Sequence, residues 1–144
     1  MNHNFHSTLE ENPHRLLNVL LEGTYVRPHR HLDPPKSESF LVLEGRAVVF
    51  TFDGQGQVIQ AVTLGMDPDC DCIGAELPPG TWHTILATTP CAVCYEVKPG
   101  PYQKINDKDF AAWAPAEGDP AVPAYIASLL DRVNQPHRQP ADTR

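Results

Sequence analysis

Short β-prone runs separated by turn residues constrain the fold of this chain more than any other feature of its sequence. The runs recur at the 8–12-residue spacing typical of a β-sandwich or barrel. They lie at residues 15–21, 24–26, 38–44, 47–52, 57–64, 72–77, 81–87 and 91–98. The 15 prolines among 144 residues disfavour a helical bundle and favour strands joined by turns. The sequence therefore predicts one all-β domain, and its first two runs are close enough to predict a hairpin.

One predicted strand is apolar on both of its faces. Within residues 38–44, Phe40 and Val42 share one face, while Leu41 and Leu43 share the other. A strand that is wetted on one side does not need this pattern, whereas the wall of a barrel covered by a second sheet or by a partner subunit does. We therefore expect a double-walled barrel and a homodimer.

The two ends of the chain differ from this strand-rich part. The expected segments are an N-terminal arm at 1–14, a barrel at 15–105, a C-terminal segment at 106–134 and a flexible tail at 135–144. The arm is polar and without an apolar period, so an extended conformation is expected. In the C-terminal segment we predict one helical turn at 107–113. A short helix is predicted over 120–134, where apolar residues have near-helical spacing.

The charge of the chain disfavours several classes of partner. Its 18 acidic and 11 basic residues give a net charge of −7 with histidine neutral, and Lys and Arg form no cluster. Nucleic acid and anionic membrane surfaces are therefore not expected as partners. No apolar stretch approaches the ~20 residues that span a bilayer, and the N-terminal sequence lacks the pattern of a secretory signal. We therefore expect a cytoplasmic protein.

Three histidines and one glutamate form a candidate metal site. His29 and His31 are two residues apart after a β-prone run, so on a strand both imidazoles would point to one face. Glu38 opens one predicted strand, and His83 lies near the start of another. The His-x-His pair alone is a modest signal, and the other two residues strengthen it. Three imidazoles and a carboxylate suit Fe(II), Mn(II), Zn(II), Ni(II) or Co(II) and leave positions open for water or substrate.

Four cysteines allow a second, different metal site. They occur as Cys70-x-Cys72 and Cys91-x2-Cys94, and four thiolates could form a structural zinc site. Cys91 and Cys94 fall on opposite faces of a predicted strand, however, which departs from the usual turn geometry. The preferred interpretation is a set of small buried residues and loop thiols, with no disulfide in the cytosol.

Two segments around the candidate metal residues resemble the two motifs of the cupin superfamily. The stretch 23–45 is similar to G-x5-H-x-H-x(3,4)-E-x6-G, and the stretch around 78–83 is similar to G-x5-P-x-G-x2-H-x3-N. Six residues separate the second histidine from the glutamate, and Ala87 stands where the second motif ends in Asn. The resemblance implies a small jelly-roll barrel, the double-stranded β-helix, with one divalent transition metal (Fe, Mn, Zn or Ni) at its centre. The ligands it implies are His29, His31, Glu38 and His83.

A more specific resemblance covers roughly residues 4–118. The segments that carry it are 4–6, 25–31, 38–40, 78–83, 96–102 and 110–115. They are similar to segments of the WbuC-type cupin-fold metalloproteins, whose genes often lie among genes for surface-polysaccharide synthesis. This resemblance implies that the N-terminal arm folds toward the barrel mouth. It also implies that Asn4 and His6 contribute to a substrate site.

Other polar side chains are candidates for the same site, each with a structural alternative. Arg27 shares the parity of the two motif histidines, so it could clamp a substrate carboxylate or phosphate, or it could form an ion pair at the rim. Glu96 and Lys98 share one face of the last strand. They could form a cavity pair with Glu96 as acid or base, or an outer salt bridge, and the resemblance favours the cavity. Tyr102 is a further catalytic candidate.

These features favour two functional classes. The first is a metal-dependent enzyme acting on a small oxygenated or anionic molecule, such as a sugar derivative in surface-polysaccharide metabolism. Its reaction would be that of an isomerase or epimerase, or of a dioxygenase-like oxidoreductase. The second is a non-catalytic cupin that binds a small sugar or carboxylate, and a purely structural metal is a weaker third alternative. An acid or base near the open metal position would distinguish enzyme from binder.

Overall fold

Two antiparallel sheets and one helix make up the described part of the chain, residues 1–102 and 108–133 of a computed structural model. The elements are β1 (Asn2–Asn4), β2 (His14–Leu21), β3 (His29–Arg30), β4 (Glu38–Glu44), β5 (Arg46–Phe52), β6 (Val58–Gly65), β7 (Gly74–Leu77), β8 (Trp82–Ala87), β9 (Cys91–Lys98), β10 (Asp109–Phe110) and α1 (Val122–Val133). Sheet A has the order β1-β2-β9-β4-β7, and sheet B has the order β10-β3-β8-β5-β6. The prediction of an all-β jelly roll with a short C-terminal helix is confirmed.

The inner faces of the two sheets form the main core. Phe40 and Val42 of β4 pack with Val49, Leu64 and Ile85 of sheet B, and all five side chains are buried. Each such side chain contributes roughly 1.5–3 kcal/mol when it leaves water. This core holds the sheets together and fixes the strands that carry the candidate metal residues.

A second apolar cluster explains why sheet B is apolar on both faces. Val48, Phe50 and Leu86 point outward from sheet B, and they are covered by Leu129 of α1 together with Trp113. The helix therefore acts as an outer layer on this sheet. Its observed range lies within the predicted 120–134, and the two differ only at the ends, where boundaries are least defined by sequence.

The outer face of sheet A has no such layer within the described chain. Leu41 and Leu43 of β4 are 45% and 48% exposed. The second sheet covers the inner face of β4, which carries Phe40 and Val42, and it leaves the other face open. The predicted homodimer would cover that face and stays a prediction.

The expected hairpin between 15–21 and 24–26 is wrong. Residues 24–28 contain no strand, and β2 pairs with β1 on one edge and with β9 on the other. Because both edges of β2 are occupied by segments that are distant in sequence, the next run has no free edge to pair with. Residues 24–28 instead lead directly into β3.

The expected helical turn at 107–113 is also wrong for the residues that the structure describes. Asp109 and Phe110 form β10, which pairs with Arg30 and His29 of β3. A free strand edge offered by β3 satisfies their backbone groups better than an isolated helical turn would. Residue 107, the barrel boundary at 105 and the predicted tail at 135–144 lie outside the described residues.

Candidate functional site

Strand pairing brings the predicted metal residues together between the two sheets. His29 of β3 is directly opposite His83 of β8, and their ring centroids are 4.4 Å apart. His31 follows β3, and Glu38 is the first residue of β4 in the facing sheet. All four side chains are buried, and one potential ligand atom from each lies within 4.8 Å of the others. The geometry could therefore hold a metal ion.

The hydrogen bonding of His29 prepares one ring nitrogen for a cation. Its Nδ1 lies 2.9 Å from the carbonyl oxygen of Arg27, and since a carbonyl only accepts, Nδ1 carries the proton. Nε2 is then the acceptor atom, and it is buried without a hydrogen-bond partner. Burial, assisted by the charge of Lys108, lowers the pKa of His29 to about 2. The ring is therefore neutral and presents a lone pair, as a metal ligand must.

His83 supplies a second indication that the group fits a cation. Its Nδ1 lies 2.8 Å from the carbonyl oxygen of Thr81, and its Nε2 lies 2.9 Å from Oε2 of Glu38. A neutral imidazole has one N–H, so it can donate to only one of these two oxygens. A cation at Nε2 would satisfy both this nitrogen and the carboxylate. Three nitrogen donors and one oxygen donor suit a divalent transition metal.

A lysine links the carboxylate of this group to a second buried carboxylate. Nζ of Lys98 lies 3.6 Å from Oε1 of Glu38 and 3.1 Å from Oε1 of Glu96. Burial opposes the charge on Glu38, yet contacts with His31 and His83 and the ammonium of Lys98 hold the pKa of its carboxyl well below its usual range. Burial and the neighbouring charge of Glu38 raise the pKa of Glu96 to about 8. The pKa values of the two carboxyl groups are therefore shifted in opposite directions, that of Glu38 downward and that of Glu96 upward.

A cavity of about 240 Å³ gives these groups access to a ligand. Its walls include His29, Glu38, His83, Glu96 and Lys98. The face of β9 that carries both Glu96 and Lys98 is therefore turned toward the inside of the barrel. The catalytic role expected for these two residues stays a prediction.

Asn18 and Lys108 are among the cavity residues that the sequence analysis did not propose for the site. The side-chain amide of Asn18 donates a hydrogen bond to Glu96. Asn18 could have been found, because it alternates with the buried Leu16 and Leu20 along β2 and so falls on the inner face. Lys108 has no comparable signal, since it stands beside a two-residue strand that only tertiary pairing creates.

A larger groove of about 1080 Å³ lies outside the barrel, between α1 and the outer side of sheet B. Its lining includes Val48, Ile126 and Leu130, with Arg46 and Asp67 at its polar end. Arg46 and Asp67 form a surface ion pair at 2.6 Å. Among the described residues, the groove lining has no buried polar groups that converge as those of the inner cavity do, so the inner cavity is the stronger candidate for a functional site.

Arg27 is not among the residues that line this cavity, and its expected role in substrate binding stays a prediction. A guanidinium nitrogen, Nη2, donates to the carbonyl oxygen of Ala111 at 2.8 Å, and the guanidinium carbon lies 5.7 Å from the ring centroid of Phe110. The parity argument assumed a regular strand, but β3 begins only at His29. Arg27 therefore connects the loop before β3 to the C-terminal segment.

The remaining predicted site residues also lie outside the cavity lining. His6 is buried, with its ring stacked on that of His14 at 4.0 Å, and Asn4 is an exposed residue of β1 paired with Leu16. Tyr102 is 37% exposed. The arm does add a strand to sheet A, and the roles expected for Asn4, His6 and Tyr102 stay predictions.

The cysteines do not converge on a metal site within residues 1–102 and 108–133. All four are free, with Cys94 buried in the core and Cys72 exposed. No helix in the same residues is long and apolar enough to cross a membrane. The expected cytoplasmic location stays a prediction.

Comparisons with known proteins give a family model and several solved structures. A model described as a domain of unknown function (DUF6016) matches residues 1–64, and no curated protein matches the chain. A cupin superfamily protein from Desulfitobacterium hafniense DCB-2 is 14% identical, with a TM-score of 0.52 over 69% of this chain and 75% of that one. A dTDP sugar isomerase from Desulfovibrio desulfuricans G20 is 19% identical, with a TM-score of 0.56 over 83% and 72%.

The chain also resembles part of a larger protein. The capsular polysaccharide assembling protein CapF from Staphylococcus aureus is 19% identical, with a TM-score of 0.58 over 76% of this chain but only 31% of CapF. The chain thus spans less than a third of that protein. At these identities the comparisons show the fold alone, and the more specific resemblance to WbuC-type proteins stays a prediction. The chain has the cupin fold, with a buried group of three histidines and one glutamate that fits a divalent metal.

Proposed function

We propose that this chain is a metal-dependent cupin that acts on a small oxygenated molecule, such as a sugar derivative, within its barrel. The observation that carries the proposal is the position of the buried His29–His31–Glu38–His83 group beside the inner cavity. Three of its residues, His29, Glu38 and His83, line the cavity wall. A metal with a purely structural role would not need a cavity beside it. A metal that binds a ligand needs one.

The volume of the cavity limits the size of the ligand. At about 240 Å³ it is smaller than the ~300–1,000 Å³ pockets that bind drug-sized molecules. A monosaccharide or a small organic acid is therefore the expected size class. Among the structural neighbours, one is named a sugar isomerase and one a polysaccharide assembling protein, and this makes sugar derivatives the first class to test.

The residues around the cavity suggest how a ligand would be held. A divalent metal at the buried group would supply Lewis-acid chemistry at a ligand oxygen. Glu96 is held by the amide of Asn18 and by Lys98, so its carboxyl group has a fixed orientation at the cavity wall. We propose Glu96 as the acid–base residue and Lys98 as the residue that keeps Glu96 and Glu38 in place. Isomerisation or epimerisation is the reaction that this pair supports best.

Metal analysis tests the first part of the proposal. We expect close to one transition-metal ion per chain in protein purified without a His tag, measured by inductively coupled plasma mass spectrometry. Glu38→Gln keeps the side-chain shape but removes the charge, so it should lower metal content strongly. An unchanged metal content in this variant and in His83→Ala would overturn the proposed site.

Turnover distinguishes the enzyme from the non-catalytic alternative. Metal-loaded protein would be incubated with a panel of monosaccharides and sugar acids, and products followed by NMR. Conversion that is lost in Glu96→Gln, while ligand binding by calorimetry is retained, would support an enzyme with Glu96 in the role given above. Binding without conversion by the wild-type protein would favour the small-molecule-binding cupin.

The outer face of sheet A supports a homodimer as a further part of the proposal. Leu41 and Leu43 of β4 are exposed, and Tyr95 of β9 pairs with Leu41 on the same face. A second copy could cover it with the same apolar surface, as in a two-fold interface.

Sedimentation equilibrium tests the dimer. The wild-type mass should be twice the 15.9 kDa of the chain, and Leu41→Glu should reduce it to the monomer mass. Ile59→Glu is the matched control, because Ile59 is 69% exposed on β6 of the other sheet. A wild-type monomer at high concentration would contradict the proposed dimer.

A further inference from the structure

Lys108 is held beside the candidate metal group by strand pairing. The next two residues, Asp109 and Phe110, form β10 and pair with Arg30 and His29. This pairing fixes the backbone next to Lys108 relative to His29, and Lys108 lines the inner cavity. Its positive charge is close enough to oppose a charge on His29. Lys108 is therefore a cationic residue of the cavity wall next to His29.

The two cavity lysines differ in their contacts. Lys98 lies between two carboxylates, Glu38 and Glu96. Lys108 forms no hydrogen bond or ion pair with residues 1–102 or 108–133, and the carboxylate of the adjacent Asp109 is bound by Nε of Arg30 at 2.7 Å. Of these two lysines, Lys108 is the one positioned to offer its charge to a ligand.

The charge balance of the site favours a ligand of negative charge. The two carboxylates, Glu38 and Glu96, can at most balance the charge of the two cavity lysines, Lys98 and Lys108. A divalent metal at the buried group would then leave an excess of positive charge in a small space of low dielectric constant. Such an excess is costly unless an anion enters with the ligand.

We propose that the ligand of this cavity is a small anion and that Lys108 binds its carboxylate or phosphate group. The inference rests on the proposed function and makes its substrate class more specific: a sugar acid or another small hydroxy acid, or a small phosphate ester, in preference to a neutral sugar. Lys108 would hold the anionic group while a neighbouring oxygen of the ligand faces the His–Glu group.

Calorimetric titration of the metal-loaded full-length protein tests this inference. The probes are glycolate, inorganic phosphate and ethylene glycol, which is a neutral analogue of glycolate. We expect at least one anion to bind tenfold or more tightly than ethylene glycol. Lys108→Gln should lower the affinity for that anion about tenfold to 100-fold, which is the effect of losing one charge-assisted hydrogen bond. Tighter binding of glycolate would indicate that Lys108 binds a carboxylate group of the ligand, and tighter binding of inorganic phosphate would indicate a phosphate group.

Matched variants distinguish the effect of the positive charge at position 108 from the effect of losing a positive charge elsewhere on the protein. Lys108→Arg keeps the charge and should retain most of the affinity. Arg46→Gln removes one positive charge beside Asp67, in the outer groove, and should leave anion binding unchanged. Equal anion affinity in the wild type and in Lys108→Gln would overturn the inference, as would the absence of any preference for anions over ethylene glycol.

Metal content distinguishes this inference from the function on which it rests. Lys108 is not one of the four metal residues, so Lys108→Gln should keep the metal content of the wild type. If Lys108→Gln has normal metal content and unchanged anion binding, the proposed role of Lys108 is refuted and the metal site is not. A wild-type protein that binds no metal refutes the proposed metal site itself.

Discussion

Nε2 of His83 lies 2.9 Å from Oε2 of Glu38, and both side chains are buried. The two residues are 45 positions apart and belong to different sheets, so this contact joins the two walls of the barrel. Nδ1 of His83 already lies at the carbonyl oxygen of Thr81, and a neutral imidazole has one N–H, so a cation between Nε2 and the carboxylate would satisfy both groups. This contact is the strongest local indication that the site is built for a cation.

Loss of one imidazole should therefore remove the metal. We predict that His29→Ala lowers metal affinity by more than about 100-fold, because changes to residues that merely orient metal ligands already cost about 10–100-fold. Metal content and competition with a fluorescent chelator would measure the effect. His3→Ala is the control, since His3 is an exposed residue of β1. Equal metal binding by the two variants would show that His29 is not a ligand.

The turn at Gly45 should not accept a side chain. Gly45 has a φ of +70°, and an added Cβ would collide with the carbonyl oxygen of Cys91 and with Oγ1 of Thr89. Gly23 has a similar φ of +77° but nothing within 4 Å of an added Cβ. We predict that Gly23→Ala costs about 1 kcal/mol through backbone strain alone. Gly45→Ala should cost at least about 1 kcal/mol more, because the collision adds to the strain.

Urea denaturation of the two glycine variants would measure this difference in the free energy of unfolding. Equal losses in both variants would mean that the contacts around Gly45 can relax and that only its backbone conformation matters.

The packing of sheet B against the helix should contribute strongly to stability. Leu86 is 2% exposed and belongs to the cluster under α1. We predict that Leu86→Ala lowers the free energy of unfolding by about 2–5 kcal/mol, the usual cost of removing a buried leucine side chain. Ile59→Ala, at a position that is 69% exposed, should change it by less than about 0.5 kcal/mol. A small effect at Leu86 would indicate that the α1 layer is loosely packed.

Stability should also depend on the protonation of His14. Burial lowers the pKa of His14, and the charges of His6, Lys98 and Lys36 act in the same direction, against the hydrogen bond from the ring to the carbonyl oxygen of Leu9. The unfolded chain then binds a proton at a higher pH than the folded protein does. The contribution of His14 is therefore fully present above its unfolded pKa of about 6.5 and is lost as the pH falls through the folded value.

We predict that the thermal midpoint falls between pH 7.5 and pH 5 and that the fall is smaller in His14→Gln. The exposed His3→Gln serves as the control and should follow the wild type. Parallel curves for all three proteins would show that other groups govern the pH dependence.

The sequence by itself determined the class of fold and much of the core. Alternation of apolar residues placed Phe40 and Val42 on an inner face, and near-helical spacing located α1 within its predicted range. The candidate metal residues at 29, 31, 38 and 83 were also visible from sequence. A His-x-His pair on an extended segment points to one side, and the surrounding segments resemble the cupin motifs despite a longer gap between His31 and Glu38. These features depend on local periodicity, which a sequence displays directly.

Only the tertiary structure decided how these segments meet. Both edges of β2 are taken by β1 and β9, so the expected hairpin with residues 24–26 does not form. The backbone at 109–110 becomes a strand because β3 offers it an edge. That pairing places Lys108 beside the cavity, while the loop before β3 turns Arg27 toward the C-terminal segment. Such contacts depend on which distant strand edges are free to bond, and no local pattern in the sequence records that competition.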